Sequence, residues 1–380
     1  MGNNSDDTTA LQIAKEHIAP MIARLGMVQN ELTLLFDLPP LSAESDAAAA
    51  AWWEGLDDEQ RHRCRGALAA VAAPMLIADV GIMSENERMT TTHAVLPSLR
   101  WNDPAYLFAS ADGGRTFRLT SFRQTDTFTN TLLLTLGGLS PVLGMELKFE
   151  CPVRDLAVLL AIADLRQRLR YKALLDHDTC PESYRSADIA AAVIEGFTYP
   201  DPRWLLPFCL PALHLSPEAA EPDSTRQSLD RLANLGLLKR EGDVVILTEP
   251  GERFAESAAQ RHSMVRIDTY GVDTMGRHGR QSIILIRGWH FLWYAGLSGP
   301  KPDTFVVTPI GAGLAETLLK ELFTPVAAPI PADPARPPFR GTAPAPAYAM
   351  PAPGTRLCPA CGKPVAAAKK FCGNCGHILG

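Results

Sequence analysis

The chain repeats itself once, and the repeat limits the folds open to it. At an offset of 189, Met75 falls on Met264 and Asp79 on Asp268. At 188, Trp101 falls on Trp289, Tyr106 on Tyr294, Thr116-Phe117 on Thr304-Phe305 and Thr120 on Thr308. At 186, Leu132, Leu133 and Leu136 fall on Leu318, Leu319 and Leu322. A drift of three residues across the repeat is what unequal loops produce. With six Trp and seven Tyr in the chain, aromatics in register weigh more than matched leucines.

Each copy reads as three strands and a helix. Met75–Met83 and Met264–Val272 open the copies, and residues 88–99 and 280–287 follow. Thr116–Phe122 and Thr304–Thr308 carry the third strand, with the Tyr106 and Tyr294 segments before it. Alternation and β-branched or aromatic content support strands there. Asp112-Gly-Gly and Gly299-Pro-Lys-Pro supply the turns. Phe128–Leu136 and Gly313–Phe323 close the copies as helices. The expected class is α+β: an internally duplicated, mostly antiparallel sheet with quasi-two-fold symmetry and helices packed on it.

Helical sequence lies between the copies. Asp155–Leu175 carries an apolar stripe at Leu156, Leu159, Leu160, Ala163, Leu169 and Leu174. Ser186 is expected to cap a helix over Ala187–Gly196, and Ser224 one over Thr225–Leu235. The run GLLKREGDVVILTEPGERF follows, and residues 186–258 resemble a winged helix. That resemblance implies a third helix facing DNA through Thr225, Arg226, Ser228 and Arg231. Charge opposes it. From Asp223 to Arg253 there are five bases and six acids, with Asp230 one turn from Arg226 and able to neutralise it.

The end of the chain carries Cys358-Pro-Ala-Cys361 and Cys372-Gly-Asn-Cys375. Two such pairs supply four thiolates for a tetrahedral zinc site. The alternative, two disulfides, suits a secreted protein, and the polar, acidic start MGNNSDDTTA is no signal peptide. His377 is a spare ligand that a four-thiolate site does not need. The spacer from Lys363 to Phe371 is expected to form a short hairpin around Val365 and Phe371. The stretch CPACGKPV…FCGNCGHIL resembles the small zinc-ribbon family, which implies a structural Zn²⁺. The Pro/Ala-rich residues 324–356 read as an extended tether.

Residues 324–380 hold six Lys/Arg and one acid, leaving residues 1–323 with 30 bases and 41 acids, a net of −11. A body that acidic lacks the footprint of a nucleic-acid binder. The scattered Cys64, Cys151, Cys180 and Cys209 read as reduced thiols, and no apolar run is long enough to span a bilayer, so a cytoplasmic protein with no membrane contact is expected. No P-loop, GxGxxG, GxSxG or HExxH is present, so enzyme activity is not expected. His93 with Asp79 and His290 with Asp303 are the acid–base pairs on offer, but a lone strand histidine is more often a satisfied polar residue. Trp289-His-Phe-Leu-Trp293-Tyr294 and Trp52-Trp53 are core or sticky patches.

The pattern ALAAVAAPMLIADVGI, a helix ending at Ala-Pro and running into a strand, together with the repeat, resembles the EspG-type chaperones of type VII secretion. That resemblance implies cytosolic binding of a partner protein. The expected divisions are 1–150 and 259–323 as the two α+β repeats, 151–258 as the helical, winged-helix-like segment, 324–356 as the linker and 357–380 as the ribbon. The expected function is a non-catalytic adaptor or secretion-type chaperone with a tethered zinc module. The alternative is a winged-helix DNA-binding regulator.

Overall fold

The computed structural model describes residues 11–84, 89–98, 103–111, 114–137, 146–199, 201–272, 278–298, 301–323, 355–357 and 364–366. The chain divides into two compact units, 1–332 and 333–380.

The first unit is built on a ten-stranded antiparallel sheet. Its first half runs β1 (Leu11–Ala14), α1 (Lys15–Arg24), α2 (Ala43–Glu54), α3 (Asp58–Ala72), β2 (Leu76–Met83), β3 (Met89–Leu96), β4 (Ala105–Ala111), β5 (Thr116–Phe122) and α4 (Thr125–Thr135). Its second half opens with β6 (Phe149–Pro152) and α5 (Val153–Asp176). Next come β7 (Ser183–Arg185), α6 (Ser186–Thr198), α7 (Leu205–Leu213), α8 (Pro222–Asn234), β8 (Leu238–Glu241), β9 (Val244–Leu247) and α9 (Glu249–Ala259). The half closes with β10 (Ser263–Val272), β11 (His278–Arg287), β12 (Leu292–Ser298), β13 (Lys301–Pro309) and α10 (Ala312–Leu322).

Strand order is β1-β5-β4-β3-β2-β10-β11-β12-β13-β6, so the two halves meet at β2–β10 and each closes its outer edge with its own first strand. Each half contributes four meander strands, not three: the Tyr106 and Tyr294 segments are strands in their own right. The outer registers match as well. Ile13 pairs with Phe117, and Cys151 pairs with Phe305. Phe117 and Phe305 stand 188 apart, while Ile13 and Cys151 stand 138 apart. The 50-residue difference is the extra helical chain of the second half.

One expected match is out of register. Tyr106 packs with Phe108 on one face of the sheet, and Tyr294 packs on the other. A strand alternates faces at every residue, so an offset wrong by one reverses a side chain. Phe117 and Phe305 do share a face. Trp101, Asp112 and Gly113 lie outside the described residues.

Each face is covered by helices. On one, α4 and α10 close over Leu76, Ala78, Val80, Val265, Ile267, Ile283 and Leu285. On the other, α1 and α3 cover the first half and α5, α7 and α9 the second. This double cover explains why β2 and β10 read as near-continuous apolar runs, interrupted by polar residues where two helical groups meet. The long helix begins at Val153, and Leu156, Leu159, Leu160 and Ala163 are buried, but Leu174 is exposed. The expected stripe therefore ends before the last turn.

Two expected caps are displaced. Ser186 is the first residue of α6 rather than its cap, and its backbone and side chain both donate to the Asp243 carbonyl. The next helix, α8, starts at Pro222, whose fixed φ suits a first helical turn, so Ser224 lies inside it. Strands β7, β9 and β8 form a small antiparallel sheet beside these helices.

In the second unit, β14 (Thr355–Leu357) pairs antiparallel with β15 (Pro364–Ala366).

Candidate functional site

Cys358, Cys361, Cys372, Cys375, His377 and Phe371 lie outside the described residues. The strands β14 and β15 flank the first cysteine pair, with Arg356 opposite Val365. Val365 pairs with the segment before Cys358, and most of the expected 363–371 hairpin lies outside the described residues.

Helix α8 turns its apolar and small polar stripe inward. Thr225, Ser228, Leu229 and Leu232 are buried, at the 3–4 spacing of one helical face. Arg231 reaches the fully buried Asp155 of α5, with Nη2 2.7 Å from Oδ1 and Nε 2.9 Å from Oδ2. Of the four positions the winged-helix resemblance offered to DNA, Thr225 and Ser228 face the core and Arg231 holds an internal carboxylate. Arg226 is exposed and pairs with Asp223 at 3.2 Å. Asp230, expected to neutralise Arg226, pairs instead with Arg240 of β8.

The densest polar constellation sits where the two halves of the sheet join, on the face shared by α1–α3 and α7. Asp79 of β2 lies opposite Asp268 of β10, with His93 next to Asp79 on β3 and Ser282 next to Asp268 on β11. Asp268 accepts from the Tyr270 and Ser282 hydroxyls, from Arg280 Nε at 3.1 Å and from His214 Nε2 at the end of α7. The Tyr270 hydroxyl lies 3.3 Å from His214 Nε2. Arg266, buried over the Phe208 ring, donates from Nη1 to Asp79 Oδ2 at 3.0 Å. Asp79 Oδ1 and Arg266 Nε are buried with no hydrogen-bond partner among the described residues.

This environment perturbs its acids and bases. Burial pushes the Asp268 carboxyl up to about 8, against the bonds from Ser282 and Tyr270 and with the Asp79 charge adding to the rise. Burial, then the Asp268 charge and bond, raise the Tyr270 phenol. Burial lowers His93, opposed by Asp79. His93 also stacks edge-on to Phe36 and Phe117, which makes it a packed neighbour of Asp79. His290 and Asp303 fall toward opposite ends of the β12–β13 hairpin, so that pair does not assemble. Among the described residues, no group of three or more His, Cys, Asp or Glu is placed to hold a metal ion. The sequence pointed to Asp79, Asp268 and His93. It gave no sign of His214, which caps the end of α7, 54 residues before Asp268.

The aromatic run 289–294 divides three ways. Trp293 is fully buried against Phe254, Tyr294 faces the α4–α10 side, and Trp289 stands 62% exposed with His262 stacked on it at 3.9 Å. Trp52 and Trp53 are half-buried against the α1–α3 core. The clearest exposed apolar stripe is Tyr171, Leu174 and Leu175 on the last two turns of α5, the two leucines being 65% and 81% exposed.

Neither the protein-family models nor the curated proteins compared with this chain gave a match. Among solved structures, the chain is weakly similar to the Mycobacterium tuberculosis type VII secretion system chaperone EspG5, solved in complex with a PE25–PPE41 dimer. The TM-score is 0.40 at 8% identity, covering 83% of this chain and 95% of that one. No helix among the described residues is long and apolar enough to cross a membrane.

Proposed function

We propose that residues 11–323 are a non-catalytic protein-binding body, an adaptor or secretion-type chaperone in the cytoplasm, and that the cysteine tail is a tethered structural zinc ribbon. The observation that carries the binding role is the stripe of Tyr171, Leu174 and Leu175. It stands at i, i+3 and i+4 on a helix whose first three turns are buried. Exposed apolar side chains on a rigid stem are what a partner buries at an interface.

The tail reading rests on its donor set. Cys358, Cys361, Cys372 and Cys375 would hold one Zn²⁺ with four thiolates and leave no open position for chemistry. The strand, three helices, two strands and helix from Ser183 to Ala259 support a winged-helix reading for that segment, used for packing because α8 presses its inner face on α5. The inward Thr225 and Ser228 and the tied Arg231 weigh against the DNA-binding alternative. Burial raises the Cys64 and Cys151 thiols to about 12, which keeps them as unreactive thiols and suits a reducing compartment.

The test is a triple variant, Tyr171→Ser, Leu174→Gln and Leu175→Gln, in the full chain. Proteins co-purifying from host lysate, with and without nuclease, are compared with wild type. Loss of a nuclease-resistant partner at unchanged melting temperature supports the reading. Retention of every partner by the variant, or partners that all vanish with nuclease, overturns it.

A further inference from the structure

Helix α7 is not self-supporting. It is nine residues long, LLPFCLPAL, with Pro207 and Pro211 inside it. Isolated helices of that length are unstable in water, and Pro211 removes an interior donor. What holds α7 against the sheet is its burial and a tie at each end.

At the start, the backbone N–H groups of Leu205 and Leu206 donate to Asp164 of α5, at 2.8 and 2.9 Å. A carboxylate from another helix thus does the work of a cap and faces the positive end of the helix dipole. At the far end, His214 takes the left-handed conformation, φ 50°, and its backbone N–H donates to the Leu210 carbonyl. That turn aims the imidazole at Asp268 and Tyr270 on β10, with the His214 and Tyr270 rings edge to face at 6.4 Å. The side chains beneath α7, Leu205, Leu206, Phe208, Cys209, Ala212 and Leu213, are all buried.

We propose that α7 is a proton-dependent latch, in which the hydrogen held between His214 and Asp268 fastens the end of the helix to the central strand and its loss loosens residues 205–214. With the proton present, one hydrogen bridges the His214 ring and the Asp268 carboxyl, at the negative end of α7. Without it, a neutral imidazole faces a carboxylate that already lies beside Asp79. Among the described residues, the charged and titratable groups around that pair are carried by four strands and by α7. Asp79 and His93 come from β2 and β3, Arg266 and Tyr270 from β10, and Arg280 with the Ser282 hydroxyl from β11; Cys209 lies on α7 itself. Arg266 and Arg280 offset the two carboxylates, so the hydrogen shared by His214 and Asp268 is the one left to respond. The pH range is near neutral, since Asp268 keeps its proton up to about 8.

Hydrogen exchange of the full chain tests the latch. Protection factors, each rate divided by that of unfolded chain at the same pH, are compared at pH 6.0 and 8.5. The amides of 205–214 should lose about tenfold protection at the higher pH while Leu156–Ile162 of α5 stay unchanged. His214→Asn tolerates the left-handed conformation but cannot titrate, and it should give low protection in α7 that is the same at both pH values. The NMR titration midpoint of the His214 ring should coincide with the loss of protection. Equal wild-type protection at both pH values overturns the proposal without reference to any variant. So does a wild-type pH profile retained in His214→Asn.

Discussion

Asp79 and Asp268 lie directly opposite each other across the β2–β10 pair, and they are the same position of the two halves. The quasi-two-fold axis passes between them. Their next neighbours are equivalent too: His93 opposite Asp79 and Ser282 opposite Asp268 stand 189 apart, like the carboxylates themselves. The halves then diverge. Only Asp268 gathers the ring of donors from Tyr270, Arg280, Ser282 and His214. His214 comes from α7, an element of the extra chain in the second half, while Tyr270, Arg280 and Ser282 stand where the first half has Gly81, Thr91 and His93.

Gly81→Ala should be costly because of one neighbour. A Cβ there would meet Arg266 Nε at 2.6 Å and Cγ at 2.8 Å, on a side chain that is itself buried. Overpacking of that kind costs about 1–3 kcal/mol. In an Arg266→Ala background the same change should cost close to nothing. Urea titrations of the four proteins give the coupling, and a cost unchanged by removal of Arg266 would refute the contact.

The contribution of Asp164 and Asp268 to stability should fall as pH rises from about 4 to about 8. Both Asp164, held up to about 6, and Asp268, held up to about 8, keep protons in the folded chain that an unfolded carboxyl gives up near 3.8. Over that range the folded state binds more protons, so raising the pH favours unfolding. Their contribution is complete below the ordinary carboxylate range and gone above about 8. Asp268→Asn should flatten the upper part of the curve. Urea midpoints of wild type and Asp268→Asn at half-unit pH steps measure this, and a wild-type-minus-variant difference that grows from pH 5 to 8 contradicts it.

Two arginines on α8 should behave differently. Arg231→Ala strands Asp155, which is fully buried, and should destabilise by about 2–3 kcal/mol, below the range for fully buried pairs because Arg231 is itself partly exposed. Arg226→Ala removes an exposed pair with Asp223 and should change stability by less than about 0.5 kcal/mol. Comparable losses at both sites would mean that α8 is not seated as described.

The purified, reduced protein is expected to contain about one zinc per chain. Cys358→Ser should lower that content without shifting the melting transition of residues 11–323. Elemental analysis and calorimetry read the two outcomes separately. A preparation without zinc removes the ribbon, and a drop of several degrees removes the independence of the tail.

Residues 1–323 should bind duplex DNA no better than about 10⁻⁴ M at physiological salt. The net charge of −11 and the inward stripe of α8 are the reasons. Submicromolar, salt-sensitive binding in an anisotropy titration would promote the regulator over the adaptor.

Much of the sheet was legible because strands and hairpin turns are local. The spans of β2, β3, β5, β10, β11 and β13 were marked by alternation or by β-branched and aromatic content, and those of α4, α5 and α10 by apolar spacing. The Tyr106–Tyr294 match misled because two scarce residues coincide at an offset that is wrong by one. The short β1 and β6 had no signal of their own: Leu11–Ala14 and Phe149–Pro152 are four residues each and count as strands only where β5 and β13 present an edge. In α8, the same Thr225, Ser228 and Arg231 suit a DNA-facing or a core-facing helix. Burial against α5 and the Asp155 carboxylate decided the second.

By itself the sequence determined the duplicated antiparallel halves, the helical segment between their meanders, the acidic body and the four-cysteine tail. Those properties follow from spacing, composition and donor chemistry along a continuous chain. Only the tertiary structure decided that the halves join at Asp79 and Asp268, that α8 faces inward and that His214 reaches Asp268. Each of these brings together groups from distant stretches of chain, and burial there sets which charges must be paired.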